Sequence, residues 1–155
     1  MQLVSGETTV EANKNVVRRY VEKFNAGDLA GLRALFADDA LIYGVLGWGK
    51  VDDVMPIWRQ LVESLAMQRA IEDIVAEGDV VAVRYTERGI ARAAFFDKPA
   101  TGRSYELTAM EWFIVQDGTI RRRWGARDGA SQARQLGWDQ PPERRRPEPA
   151  AGANA

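Results

Sequence analysis

Residues 101–128, TGRSYELTAMEWFIVQDGTIRRRWGARD, read as two alternating strands joined by Asp117-Gly118 and closing on a carboxylate, Asp128, where the pattern runs out. That arrangement sets an acid at the mouth of an apolar half-barrel, so Asp128 is the leading candidate for general acid/base chemistry. The rest of the chain narrows the options. It contains no histidine and no cysteine, which removes Ser-His-Asp and Cys-His relays, thiolate nucleophiles, and metals held by those side chains. Carboxylates, tyrosine, lysine and arginine remain, and neither a metal nor a cofactor is expected. A second role for Asp128 stays open: an aspartate before Gly129-Ala130 is a good cap for a helix over 130–138.

Which strand face accompanies Asp128 matters for its chemistry. Counting by twos puts Ala126, Trp124, Arg122 and Ile120 with it, against Arg127, Gly125, Arg123 and Arg121. On the preceding strand Thr108, Met110, Trp112 and Ile114 alternate with Ala109, Glu111, Phe113 and Val115. Pattern alone allows either face to be the inner one. Trp112 and Trp124 read as plain core or as a ligand platform, and Glu111 is expected on the outer face or at a subunit contact, with a second catalytic acid as its lesser reading.

The elements that must position these residues follow from periodicity. Thr8 and Glu11 form a capping-box pattern before Val17, Tyr20, Val21 and Phe24, an amphipathic stripe. Asp28 can cap a short second helix, a strand follows over 40–45, and Asp52 or Asp53 can start a third helix with Val54, Ile57, Trp58, Leu61 and Leu65 on one face. Four strands are expected over 68–77, 80–93, 104–116 and 119–127, with Gly78-Asp79 and Asp117-Gly118 as hairpin turns. The order α-α-β-α-β-β-β-β is an α+β pattern. One domain is expected over residues 8–138. Residues 139–155, rich in Pro, Ala, Gly and charge, read as a disordered tail.

With 21 basic against 22 acidic residues the net charge is -1, so no global field draws the chain to nucleic acid. The start shows no secretory signal pattern and no run approaches the ~20 apolar residues of a membrane span. A cytoplasmic location with no membrane partner is expected.

The element order, together with GDLAGLRALFADDALIY, IEDIVAEGDVVAVRYTERG, the 101–128 run and a closing ARQLG, resembles the SnoaL-like polyketide cyclases of the nuclear transport factor two-like superfamily. The resemblance implies a curved antiparallel or mixed sheet, a cone-like half-barrel wrapped around N-terminal helices and enclosing an apolar pocket. It also implies a homodimer through the outer sheet face. TGRSY followed by a hairpin and a strand ending in Asp is similar to the limonene-epoxide hydrolase branch. Both resemblances make Asp128 the acid or base. The epoxide hydrolases' Arg-x-Asp and Tyr-x-Asn pairs point to Arg84 and Tyr43, with Thr86 where the second aspartate stands and Val45 in place of the asparagine. Arg84 could equally form a structural ion pair with Glu111 or Asp73, and Tyr43 could be a core tyrosine.

The resemblance further suggests that the side carrying Met110, Trp112 and Ile114, with Trp124 and Ala126, lines the pocket. Desolvation there would raise the Asp128 pKa and a nearby Arg84 would lower it, so the sign of the shift stays open. The implied function is a cofactor-free acid/base enzyme on a hydrophobic small molecule, by aldol cyclisation or isomerisation. Epoxide hydrolysis and a non-catalytic ligand-binding module are the other readings.

Overall fold

The computed structural model describes residues 5–143, with side chains from residue 9 onward. Helix α1, Ser5–Asn25, begins three residues ahead of the expected Thr8 cap. It buries Val16, Val17, Tyr20, Val21 and Phe24, the stripe that a 3.6-residue period predicts. The chain then turns through Gly27 at φ +71, and Asp28 caps α2, Leu29–Arg33, by accepting from the Gly31 N–H at 2.9 Å.

Strand β1, Phe36–Tyr43, starts earlier than its sequence pattern suggested, and a short strand β2, Trp48–Lys50, folds back on it. No alternation announced β2, because three residues carry no period. Helix α3, Val51–Glu63, follows directly. Asp53 stands in its first turn and accepts from the Lys50 N–H at 3.1 Å, while Val54, Ile57, Trp58 and Leu61 are buried.

Strands β3, Gln68–Glu77, β5, Ser104–Gln116, and β6, Thr119–Arg127, have the expected bounds; β4, Val80–Ile90, ends three residues early. There the backbone leaves the sheet, with the Arg92 N–H donating to the Ser64 carbonyl at 3.1 Å. Asp117 and Gly118 have φ +51 and +75 between paired Gln116 and Thr119, the two left-handed residues of a type I′ hairpin. The sheet order is β2-β1-β6-β5-β4-β3, antiparallel throughout except for the β1–β6 pair. This curved, open, mixed sheet wraps the helices, an α+β cone with the core between them.

Helix α4, Gly129–Leu136, closes the fold. Trp138 beyond it is buried, stacks on Phe95 with centroids 5.9 Å apart, and donates its indole N–H to the Pro99 carbonyl. This pins the 91–103 loop. Of the expected tail, residues 144–155 lie outside the described residues. No helix among the described residues is long and apolar enough to cross a membrane.

Candidate functional site

The helices cover the sheet face that carries Tyr105, Leu107, Ala109, Glu111, Phe113 and Val115 of β5, all buried. Met110, Trp112 and Trp124 are therefore on the opposite, outer face, where they are 54%, 49% and 40% exposed. Ile114 and Ala126 share their alternation. Of the expected pocket lining of Met110, Trp112, Ile114, Trp124 and Ala126, only Met110 and Ala126 run along the wall of the inner cavity, while Met110, Trp112, Trp124 and Ala126 border a depression on the outer face.

Two physical causes explain the reversal. The face with Glu111 holds five apolar side chains out of six, so covering it buries the greater apolar area. On β6, Ile114 pairs with Arg122 but Val115 pairs with Ile120, so Arg121 is an extra residue in the ladder. This bulge puts Ile120 in phase with Arg123, Gly125 and Arg127, which counting by twos had separated.

The three expected catalytic residues are not brought together. Asp128 is exposed, caps α4 by accepting from the Ser131 N–H at 2.9 Å, and is absent from the cavity wall. Arg84 is exposed and pairs with Asp73, its Nη2 at 2.7 Å from Oδ2. Tyr43 is half-buried and stacks on Trp124 with centroids 5.3 Å apart and rings 11° from parallel. Asp128, Arg84 and Tyr43 are thus kept off the wall of the inner cavity by strand parity and by local pairing, and Arg84 borders a depression on the outer sheet face instead.

The interior instead assembles a charge cluster in which Arg69 and Glu87 are unexpected as site residues and Glu111 follows its lesser reading. Glu111 of β5 is buried and accepts from the Tyr20 hydroxyl at 3.1 Å, from Arg69 Nη1 at 3.2 Å, and from Arg123 Nη1. Arg69 Nη1 also donates to the Tyr20 oxygen at 3.1 Å. Beside this cluster, Glu87 accepts from the Tyr105 hydroxyl at 2.9 Å and from Arg127 Nη1 at 3.0 Å, with Arg69 Nε 3.7 Å away. Arg69 lies over the Phe24 ring at 4.3 Å and Arg123 over Trp58 at 5.9 Å, so each cation also has an aromatic neighbour. The signal in the sequence was an acid in phase with apolar neighbours: Glu87 with Val81, Val83 and Tyr85, and Glu111 with Phe113 and Val115.

Burial presses on these groups. It pushes the Tyr85 and Tyr105 phenols well above their ordinary value, with the Tyr20 and Glu87 neighbours adding to the effect. Desolvation lowers the Arg123 pKa, and the nearby Arg69 and Arg127 cations act in the same direction. For Arg69 burial also works downward, yet Tyr20 and Glu87 outweigh it and its pKa is raised.

Arg69, Glu87, Glu111, Arg123 and Arg127 line one side of a cavity of about 40 Å³, room for about three waters. The other side is apolar, from Leu46, Val54, Ile57, Trp58 and Leu61. Residues 44–47 form part of the same wall, where the Gly44 N–H donates to the Gly47 carbonyl at 2.9 Å. Such a site can hold a polar group against fixed donors while keeping its apolar remainder off water. Among the described residues, no group of three or more acidic side chains could hold a metal ion.

Residues 14–136 match the model of the SnoaL-like polyketide cyclase family. The chain belongs to that family. Among solved structures, IdmH of Streptomyces antibioticus, a proposed polyketide cyclase, shares 30% identity over 81% of this chain and 98% of its own, with a TM-score of 0.72. The SnoaL-like fold extends to more distant proteins. AclR of Streptomyces galilaeus, a proposed hydroxylase, is 22% identical over 83% of this chain and 97% of its own, with a TM-score of 0.74. A LEH-like epoxide hydrolase of M. tuberculosis is 16% identical over 83% and 91%, at 0.67. These last two share the fold alone, so the chemistry of this SnoaL-like member must be argued from its own cavity.

Proposed function

We propose that the protein is a cofactor-free acid/base enzyme that takes the reactive end of a hydrophobic small molecule into the cone and catalyses an aldol-type cyclisation or isomerisation. The reading is carried by Glu111, a buried carboxylate on the cavity wall beside two guanidiniums and a phenol. In this reading Glu111 takes a proton from carbon next to a carbonyl. Arg123 and Arg69 stabilise the enolate oxygen, as positioned donors in a buried site do. The enolate carbon attacks a second carbonyl, and the new alkoxide takes the proton back. A cavity of about 40 Å³ admits the reacting group and a few carbons against Leu46 and Val54, so the rest of a larger substrate lies outside it. Membership of a polyketide cyclase family and the 30% identity to IdmH support this chemistry.

A binding module without chemistry is the second reading. It is favoured by the number of donors that already hold Glu111, since each of its oxygens already accepts two hydrogen bonds.

A panel of cyclisable polyketide-like esters and of epoxides separates these readings. Turnover of esters that falls on the order of a hundredfold in Glu111→Gln supports the proposal. Where that variant is poorly folded, Glu111→Asp keeps the charge and withdraws the carboxylate, and it should lose most of the rate. Turnover of epoxides alone would replace the mechanism with hydrolysis. Full activity in Glu111→Asp, or saturable binding without turnover of any member, would sink it.

The exposed Met110, Trp112 and Trp124, with Val75 beside them on the same face, support a homodimer through the outer sheet face.

A further inference from the structure

Counting charge on the cavity wall leaves a surplus: Arg69, Arg123 and Arg127 stand against Glu87 and Glu111. The tyrosines in the cluster do not balance it, since burial keeps Tyr85 and Tyr105 protonated. The Nε–H groups of all three arginines are buried and make no hydrogen bond among the described residues. A buried guanidinium carries five donors, and leaving them unfilled beside an uncompensated charge is costly. The surplus is not spread evenly. Arg69 has Tyr20, Glu111 and Glu87 around it, and Arg127 has Glu87, whereas Arg123 shares Glu111 with Arg69. Arg123 also lies against the backbone of two glycines of the cavity wall. An added Cβ at Gly44 would lie 3.4 Å from its Nη2, and one at Gly125 would lie 3.2 Å from its Nη1; both positions lack a side chain and both line the cavity.

We infer that the ligand of this cavity bears a carboxylate, seated against Arg123 between the glycines at 44 and 125, with its apolar body toward Trp58 and Leu46. This rests on the reading of the cavity as the functional site and names the class of molecule it takes. One carboxylate cancels the surplus of one positive charge, and its two oxygens match the planar fork of a guanidinium. Glu111 and Glu87 do not repel it outright, because each is already held by arginine and tyrosine donors. The apolar wall limits the rest of the molecule to hydrocarbon or an aromatic ring.

The probe is propanoate, compared with propanamide, titrated calorimetrically into the full chain at low salt. Propanoate should bind at least tenfold more tightly, and the preference should vanish in Arg123→Met. Gly125→Ala, which crowds the guanidinium without removing charge, should weaken propanoate at least threefold and covers the case in which Arg123→Met fails to fold. Arg84→Gln, on the outer face, should bind as the parent does. Equal affinity for acid and amide overturns the inference, and so does binding of neither, or a preference that survives in Arg123→Met. Failure of the inference is separable from failure of the proposed chemistry. The chemistry stands or falls on turnover in the Glu111 variants, whichever of the two probes binds.

Discussion

Arg123 reaches Glu111 diagonally across the β5–β6 ladder. Its direct cross-strand neighbour is Phe113, while Glu111 stands opposite Gly125. Gly125 makes the diagonal possible: a Cβ there would lie 3.2 Å from Arg123 Nη1 and 3.8 Å from Glu111 Oε2. The bulge at Arg121 sets the phase that turns Arg123 inward.

Gly125→Ala therefore tests the diagonal directly. In an ordinary strand the change would gain a few tenths of a kcal/mol from lower unfolded-state entropy. Here Arg123 is held at one end by Glu111 and cannot retreat, so a loss of about 1–2 kcal/mol is expected from overpacking. Chemical denaturation measures it. A stabilised Gly125→Ala would show that the guanidinium has room to move.

Removing the carboxylate should be worse than removing shape. Glu111→Gln leaves Arg69 and Arg123 without their shared counter-charge, and breaking a buried pair in this way costs about 3–5 kcal/mol. Tyr20→Phe, which deletes one neutral hydroxyl that donates to Glu111 and accepts from Arg69, should cost about 1–2 kcal/mol. Equal losses in the two variants would contradict an electrostatic role for the cluster.

Alkaline stability should report the buried phenols. Tyr85 and Tyr105 have raised pKa values when folded and titrate near 10 when unfolded. Above that pH the unfolded chain releases protons that the folded one retains, so unfolding becomes more favourable as pH rises. Stability is thus fully present below about 10 and falls by up to about 1.4 kcal/mol per pH unit for each phenol above it. Tyr85→Phe should flatten this slope with little loss at neutral pH, because its buried hydroxyl makes no hydrogen bond among the described residues. Tyr105→Phe should also flatten it but lose stability at neutral pH, since Glu87 then lacks a donor.

Ligand entry into the cavity should perturb Trp58, which lines it, rather than the two outer-face indoles. Trp112→Phe and Trp124→Phe should keep the emission change on ligand addition, and Trp58→Phe should abolish it. Separately, Trp112→Glu should leave the melting temperature of a monomer near the parent's while reducing self-association in sedimentation velocity. An unaltered association state would remove the outer face as the dimer contact.

Asp128 separates capping from catalysis. Asp128→Ala should lose about 1 kcal/mol by unsatisfying the first turn of α4, and Asp128→Asn almost none. Turnover per folded molecule should be unchanged in both. Loss of activity in Asp128→Asn would return that residue to the mechanism.

Much of this protein is written locally. The α1 stripe from Val17 to Phe24, the Asp28 cap, the Asp117-Gly118 turn and the bounds of β3, β5 and β6 follow from period and turn chemistry, which act over a few residues. The missing histidine and cysteine limited the chemistry before any fold was known. The family was equally legible in the run of segments from α1 to α4. The face of the sheet that lines the cavity was not. Alternation separates two sets of residues but does not say which set the helices will cover, and one extra residue at Arg121 reverses the phase of β6 between Ile120 and Arg123. Nor could local pattern pair Glu111 with Tyr20, which is 91 residues away, or with Arg69, 42 away. Only closing the cone on α1 brings those charges together, because each is tolerable inside only when the others are there.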